Sequence, residues 1–423
     1  MLEQLTVKGF RSLRDFELEI RPGLNVLVGP NGAGKTNIIL LFEFLRAVCS
    51  HSVSRAVGAA GGVAQVFSKR GRDRFANLME VSVSGHVTVD EEIYTYSYEF
   101  SLEFNPADQE VSFCGQRFSI HKTIDAERVL HLEVNFDGGS SERQSGSIDV
   151  SQQFARSSDW AVKEFQNYVK RGFFRQNSLS TLFAHSDKVT SAVSQDFGGR
   201  FVLNVVPSHV KKPEDSTRKP GIESDGSGVS STLFAIKRKR AFFEEQSNYI
   251  FERPKPIHPK WQAVVDLIRV AVPSIESIDV VNDPFDNLLR SQITVGKGNR
   301  KSIVPLSAIS DGTAKWISLI LRLSTSRSAL LLEEPENYLH PLMQREIVRL
   351  LRDSIGTSGF TIVSTHSETL LNAVRADELI VVSYGSRGTK AKRVTNADDV
   401  EAEINRTGFG LGYYYLADAV EAN

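Results

Sequence analysis

The chain has 423 residues, room for two or three domains of ordinary size, and its 50 Lys+Arg against 51 Asp+Glu leave a formal net charge of -1. That balance excludes holding nucleic acid by overall charge, so any such surface has to be a local patch. Two cysteines, Cys49 and Cys114, are too few for a disulfide framework or a thiolate metal cluster; no run of about 18 apolar residues could span a membrane, the opening MLEQLTVKGFRSL lacks the pattern of a secretory leader, and a cytoplasmic setting is expected.

Leu2 to Phe10 alternates apolar and polar residues and reads as a strand, while Leu24 to Val28 is a short apolar run that stops at a glycine-rich turn. The segment NIILLFEFLRAV, from Asn37, is apolar at helical spacing and completes a strand–loop–helix unit. From Val81 to Phe104 the period becomes two, with Tyr94, Tyr96, Tyr98, Phe100, Leu102 and Phe104 on one face. Aromatics at that spacing are expected to be core, not a platform for nucleobases.

Residues 151–300 are less regular, with helices expected near 160–169, 231–249 and 261–272 and a Pro-, Ser- and Gly-rich stretch, 206–231, expected as a mobile surface loop. No apolar heptad lasts the three or four repeats of a coiled coil. From Ile303 onward helix and strand alternate again, as in an α/β nucleotide-binding core.

Gly29-Pro30-Asn31-Gly32-Ala33-Gly34-Lys35-Thr36 fits the pattern G-x-x-x-x-G-K-[ST] between an apolar strand and a helix, the context of a phosphate-binding P-loop. Its glycines let backbone N–H groups converge on phosphates at a helix N-terminus, Lys35 would bridge the β- and γ-phosphates of ATP, and the Thr36 hydroxyl would hold Mg²⁺. Downstream, Ala329 to Glu336 reads ALLLEEPE, an apolar strand ending in acids. This is the Walker B arrangement, in which Glu333 would support Mg²⁺ and Glu334 would polarise the attacking water.

Leu306 to Thr313, LSAISDGT, precedes a helical run and resembles the signature of ATP-binding-cassette (ABC) ATPases; Thr361 to Ser367, TIVSTHS, ends a strand in His366 and resembles their switch histidine. With KGFRSL at the start and EEPENYLHP at Glu333 to Pro341, these segments are similar to the RecF/OLD branch of ABC ATPases, related to SMC heads. The resemblance implies an α/β fold: an ABC-type P-loop ATPase head with an antiparallel β subdomain (1–150), an inserted, partly helical subdomain (151–300, with a flexible loop near 206–230) and the remainder of the head (301–423). It further implies Lys35, Glu334 and His366 as catalytic residues. Arg11, Gly29, Asn31, Gly32, Ala33, Gly34 and Thr36 would lie around the phosphates, Ser310 and Gly312 would face the γ-phosphate of the opposite subunit, and Asn337 to His340 would form the D-loop. Glu333 stands where most ABC proteins have Asp, Asp311 replaces the first glycine after the signature serine, and Gln65 is a candidate for the glutamine that helps bind Mg²⁺.

A homodimer or higher even-numbered homo-oligomer is therefore expected, with ATP and Mg²⁺. Lys170 to Arg175 and Lys237 to Arg240 are candidate DNA-contacting patches. OLD-family nucleases carry a further metal-binding TOPRIM domain, for which the tail from Ser367 to Asn423 leaves no room, and Asp90-Glu91-Glu92 and Glu244-Glu245 read as solvated surface charge. No intrinsic nuclease is expected. By resemblance the chain would act as the ATPase subunit of a prokaryotic defence system, like those of Septu, retron-associated and PARIS systems, with a separately encoded nuclease or toxin. The alternative is a RecF-like DNA-repair clamp.

Overall fold

The computed structural model describes residues 1–422 except 70, 72–74, 125–126, 140–143, 200, 244–255, 284, 297, 327–328 and 356–358. It is α/β, as expected, and carries a large antiparallel sheet. Strands β1 (Leu2–Lys8), β2 (Phe16–Glu19), β4 (Leu78–Val89), β5 (Glu92–Asn105), β6 (Glu110–Ile124), β7 (Glu127–Asp137) and β8 (Ser145–Val150) form a seven-stranded sheet in the order β2-β1-β4-β5-β6-β7-β8. The two-residue period of 81–104 thus belongs to a hairpin of two strands, β4 and β5. Asp90 and Glu91, with φ of 50° and 68°, make its tight turn. The aromatic stripe is core: Tyr96, Tyr98, Phe100 and Leu102 are buried, and Phe197 of the helix Lys188–Gly198 packs against Tyr96 and Tyr98 with tilted rings, centroids 5.9 and 5.6 Å apart. The Tyr98 hydroxyl, out of water's reach, is satisfied by Gln116 Oε1 at 2.6 Å and Ser178 Oγ at 2.8 Å.

A second sheet runs β17-β16-β3-β15-β14-β9, comprising β3 (Gly23–Val28), β9 (Phe201–Leu203), β14 (Leu330–Glu333), β15 (Phe360–Thr365), β16 (Leu379–Gly385) and β17 (Gly388–Arg393); all pairings are parallel except β16 with β17. Its inner strands β3, β15 and β14 are buried along nearly their whole length without alternation, because both faces are covered. Leu27, Leu331, Ile362, Ile380 and Val382 enter a core shared with the helix Lys35–Ser50 and the antiparallel sheet, while Leu24, Val26, Val28, Leu332 and Val363 enter a second core with the helices Asp311–Thr325 and Pro341–Ser354. The sheet is the middle layer between two cores.

Residues 151–300, expected as one insertion, divide between these cores. The helices Asp159–Lys170 and Lys188–Gly198 pack against the first, and β9 is an edge strand of the parallel sheet. A third sheet, of β10 (Glu214–Asp215), β11 (Ile275–Asp283), β12 (Leu288–Val295) and β13 (Ser302–Pro305), packs with the helices Val229–Lys237 and Trp261–Ala271 on the second. The stretch 206–231, expected as a mobile loop, is instead folded. It contains the helix Pro207–Val210 and β10, and the buried Glu214 carboxylate accepts the Gly228 and Ser231 N–H groups at 2.9 Å each, meeting the unpaired donors at the start of the next helix. That helix ends at Lys237, earlier than the periodicity of 231–249 predicted, and Glu244 and Glu245 lie outside the described residues.

Candidate nucleotide-binding site

Parallel pairing carries the C-terminal ends of β3, β14 and β15 to one edge, where α/β sheets bind ligands. Val28 lies level with Thr365 and Glu333 with Ser364, so the P-loop, the Walker B acids and His366 leave the sheet from neighbouring strands. Two glycines of the loop are required by close approach. A Cβ on Gly29 would lie 2.1 Å from Val382 O, and one on Gly34, where φ is 108°, would lie 2.1 Å from Thr389 Oγ1. Asn31, Gly32 and Thr36 stand exposed at the mouth, whereas Ala33 is buried. Lys35 is folded over the loop, its Nζ donating to Gly29 O at 2.8 Å and Pro30 O at 3.2 Å; burial lowers its pKa, against the pull of Glu334 and Glu336.

The loop is braced by residues that sequence reasoning missed. Buried Thr389, on β17, donates to Ala33 O at 2.9 Å and shares a hydrogen bond with Ser12 Oγ at 2.7 Å, which also receives Asn37 Nδ2 at 2.7 Å. No local motif marks Thr389, which lies 356 positions from Ala33.

Glu333 closes β14 and accepts Asn204 Nδ2 at 3.2 Å. Glu334 follows in a left-handed conformation with φ of 41°. Its carboxylate takes Asn337 Nδ2 at 2.9 Å and approaches His366 Nε2 to 3.7 Å. The structure therefore brings together Lys35, Glu333, Glu334 and His366, residues up to some three hundred positions apart in the chain. Beneath them lies another residue that the sequence did not single out, Lys315, which is 3% exposed and donates to Glu334 O at 3.1 Å.

Ser310 caps the helix Asp311–Thr325, accepting the Thr313 N–H at 3.2 Å. A Cβ on Gly312 would meet Tyr338 O at 2.3 Å, so the expected signature and D-loop segments pack on each other. Asp311 is paired with Lys211 from the folded 206–231 stretch, which neutralises the acid that departs from the ABC pattern. Arg11, with φ of 46°, sends its guanidinium to Ala60 O at 3.5 Å and over the Phe10 ring; its Nε is buried without a hydrogen bond, and burial lowers its pKa. Gln65 is exposed on the short helix Val63–Val66, whose last carbonyl accepts the Arg11 N–H.

The two basic stretches differ. Phe174 is fully buried and Phe173 packs on Tyr168 at 4.8 Å, so the aromatics of Lys170 to Arg175 serve the core and are not open to stack on bases; only Lys170 and Arg171 are exposed there. Lys237 to Arg240 are all exposed, with Lys237 paired to Asp279 and Arg238 over Phe234. Asp90 pairs with Lys188 and Glu92 with Lys122, and among the described residues no group of three or more His, Cys, Asp or Glu is placed to hold a metal by itself.

Residues 4–188 match the family described as "AAA domain", and residues 182–372 the one described as "AAA domain, putative AbiEii toxin, Type IV TA system". A "DNA replication and repair protein RecF" of Renibacterium salmoninarum is 35% identical over 88 residues, 20% of this chain and 22% of that protein. The RecF of Paenarthrobacter aurescens is 45% identical over 53 residues, 12% of this chain and 13% of that protein. The chain thus matches less than a quarter of the length of these relatives. Among solved structures, an Smc head bound to the C-winged helix domain of ScpA is similar at a TM-score of 0.48 and 14% identity, covering 92% of this chain and 97% of that one. The SMC head domain from Thermotoga maritima is similar at 0.42 and 15%, covering 93% and 98%. Two AAA-domain family models thus match successive parts of the chain, and a short stretch is similar to RecF.

Proposed function

We propose that this chain binds ATP with Mg²⁺ and hydrolyses it, that two copies close around two nucleotides, and that closure controls a separately encoded effector. One observation carries the first step: Lys35, Glu333, Glu334 and His366 converge at one edge of a parallel sheet, on a P-loop braced by Thr389. Backbone N–H groups of the loop and Lys35, released from its own carbonyls, receive the phosphates. Thr36 and Glu333 would hold Mg²⁺, a hydroxyl and one carboxylate being the small oxygen set that this ion takes alongside phosphates, and the ion would supply positive charge against the phosphates. Glu334 accepts the proton of the attacking water, and His366 beside it registers the γ-phosphate.

Removing Lys35 should abolish nucleotide binding, whereas Glu334→Gln keeps the shape, loses the base and should bind ATP without turnover. Wild-type hydrolysis by Glu334→Gln would remove Glu334 from this role.

The family match over residues 182–372 and the RecF matches are equally consistent with effector control and with a second reading, a DNA-repair ATPase. Co-purification of the tagged chain with the product of its neighbouring gene, with ATP, with ADP and with Glu334→Gln, separates them. Nucleotide-dependent capture of a nuclease or toxin supports the first reading; tight nucleotide-dependent DNA binding without such a partner supports the second. The isolated chain is expected not to cut DNA, since Glu333, Glu334 and Glu336 are engaged within the ATP site. Cleavage lost on mutating an acid elsewhere would overturn that expectation.

A further inference from the structure

Glu336 takes no part in the hydrolysis described above, yet it holds the edge of the site together. Its Oε1 accepts two hydrogen bonds, from Thr365 Oγ1 and from the His366 backbone N–H, each at 2.7 Å. Its Oε2 is buried with no hydrogen-bond partner, an arrangement that is unfavourable for a carboxylate unless opposite charge stands nearby. Two buried lysines supply that charge, because the Glu336 carboxylate acts on both Lys35 and Lys315.

The two hydrogen bonds fall where β15 ends. Thr365 is the last residue paired to β3, so the next N–H, that of His366, has no neighbouring strand carbonyl to receive it. Glu336 meets that donor from the turn after β14, and thereby ties the strand bearing the histidine to the turn bearing Glu334. With the main chain of His366 fixed this way, its imidazole stands 3.7 Å from Glu334 Oε1. A carboxylate in the same turn as the base thus sets the place of the group that faces the base.

We infer that Glu336 is a positioning residue, acting through the Thr365 hydroxyl and the His366 backbone N–H to hold the imidazole against Glu334, without touching the nucleotide. The inference rests on the ATPase reading. A purely structural role, as a brace for the helix Glu368–Leu371 that begins two residues later, would predict loss of stability with no special relation to the imidazole.

The test is a double-mutant cycle on the full chain, with ATPase rate, KM for ATP and thermal unfolding measured for Glu336→Ala, His366→Ala and the pair. A misplaced catalytic group costs on the order of 10- to 100-fold in rate, so Glu336→Ala should lower kcat by that much with KM within about threefold of wild type. The double variant should be no slower than His366→Ala alone, since a residue that acts through the imidazole has nothing left to position. Glu336→Gln, which keeps an acceptor oxygen for the two donors, should recover most of the rate. Should Glu336→Ala fail to fold, Thr365→Val removes one of the two donors; it should lower kcat to a smaller extent, again without adding to His366→Ala. Multiplicative losses in either cycle, a wild-type rate for His366→Ala, or a wild-type rate for a folded Glu336→Ala would each overturn the assignment. A wild-type chain that binds ATP without hydrolysing it would instead bring down the ATPase reading on which this one stands.

Discussion

Lys315 is a cation placed where a cation is expensive, and this makes it measurable. It is 3% exposed, and burial pushes its pKa from the ordinary 10.5 down to about 8, even though Glu336 and Glu334 pull the other way. At pH 7 both the folded and the unfolded chain hold the proton, so the whole difference weighs against folding, about 3 kcal/mol at roughly 1.4 kcal/mol per tenfold. As the pH rises past 8 the folded chain releases the proton while the unfolded chain keeps it, and the penalty fades, vanishing near 10.5. Lys315→Met keeps the length of the buried side chain, removes the charge and forfeits one hydrogen bond to Glu334 O, worth about 1 kcal/mol. The variant should therefore be more stable than wild type by about 2 kcal/mol at pH 7, and the advantage should disappear between pH 8 and 10.5. Matched urea denaturation of the two chains at pH 7, 8.5 and 9.5 reads this directly. A Lys315→Met chain less stable than wild type at pH 7, or a difference that does not change with pH, would refute the reasoning and mean that attraction to the two glutamates outweighs burial.

Three further outcomes follow from the site. Lys35→Ala chains and Ser310→Arg chains, each inactive alone, should recover part of the ATPase activity when mixed, because their heterodimer joins one doubly damaged site to one intact site; no recovery at any ratio of folded proteins would argue against shared sites. Gly34→Ala forces a Cβ to 2.1 Å from Thr389 Oγ1 at φ 108°, and should abolish ATP binding by isothermal titration; near-normal affinity would show that the loop can move aside. Thr389→Val leaves the buried Ala33 carbonyl without its side-chain donor and should lower stability by about 1–3 kcal/mol in denaturant titration, with weaker ATP binding; an unchanged chain would mean that Ser12 and Asn37 brace the loop unaided.

The P-loop, the Walker B acids and His366 could be found in the sequence because each is a local device. Glycine spacing sets a backbone path, and an apolar run ending in acids sets a strand with a charged tip, within a few residues. The stripe Tyr96, Tyr98, Phe100 and Leu102 was legible for the same reason, since strand geometry puts alternate residues on one face wherever the strand lies. What depends on distant parts of the chain was not legible. The stretch 206–231 has the composition of a loop, and it is ordered because the buried Glu214 carboxylate finds the N–H groups of a helix start. In Lys170 to Arg175 charge and aromatics alternate as at a nucleic-acid surface, yet only packing against Tyr168 and the antiparallel sheet decides that Phe174 faces inward. Thr389 and Lys315 carry no motif, and the motif that contains Glu336 gives it no role of its own. Their importance comes from burial and from partners brought close by the pairing of β14 with β15 and of β3 with β16 and β17 beyond it: a local pattern fixes a backbone path, whereas the surroundings of a side chain are set by whichever strands the tertiary fold lays beside it.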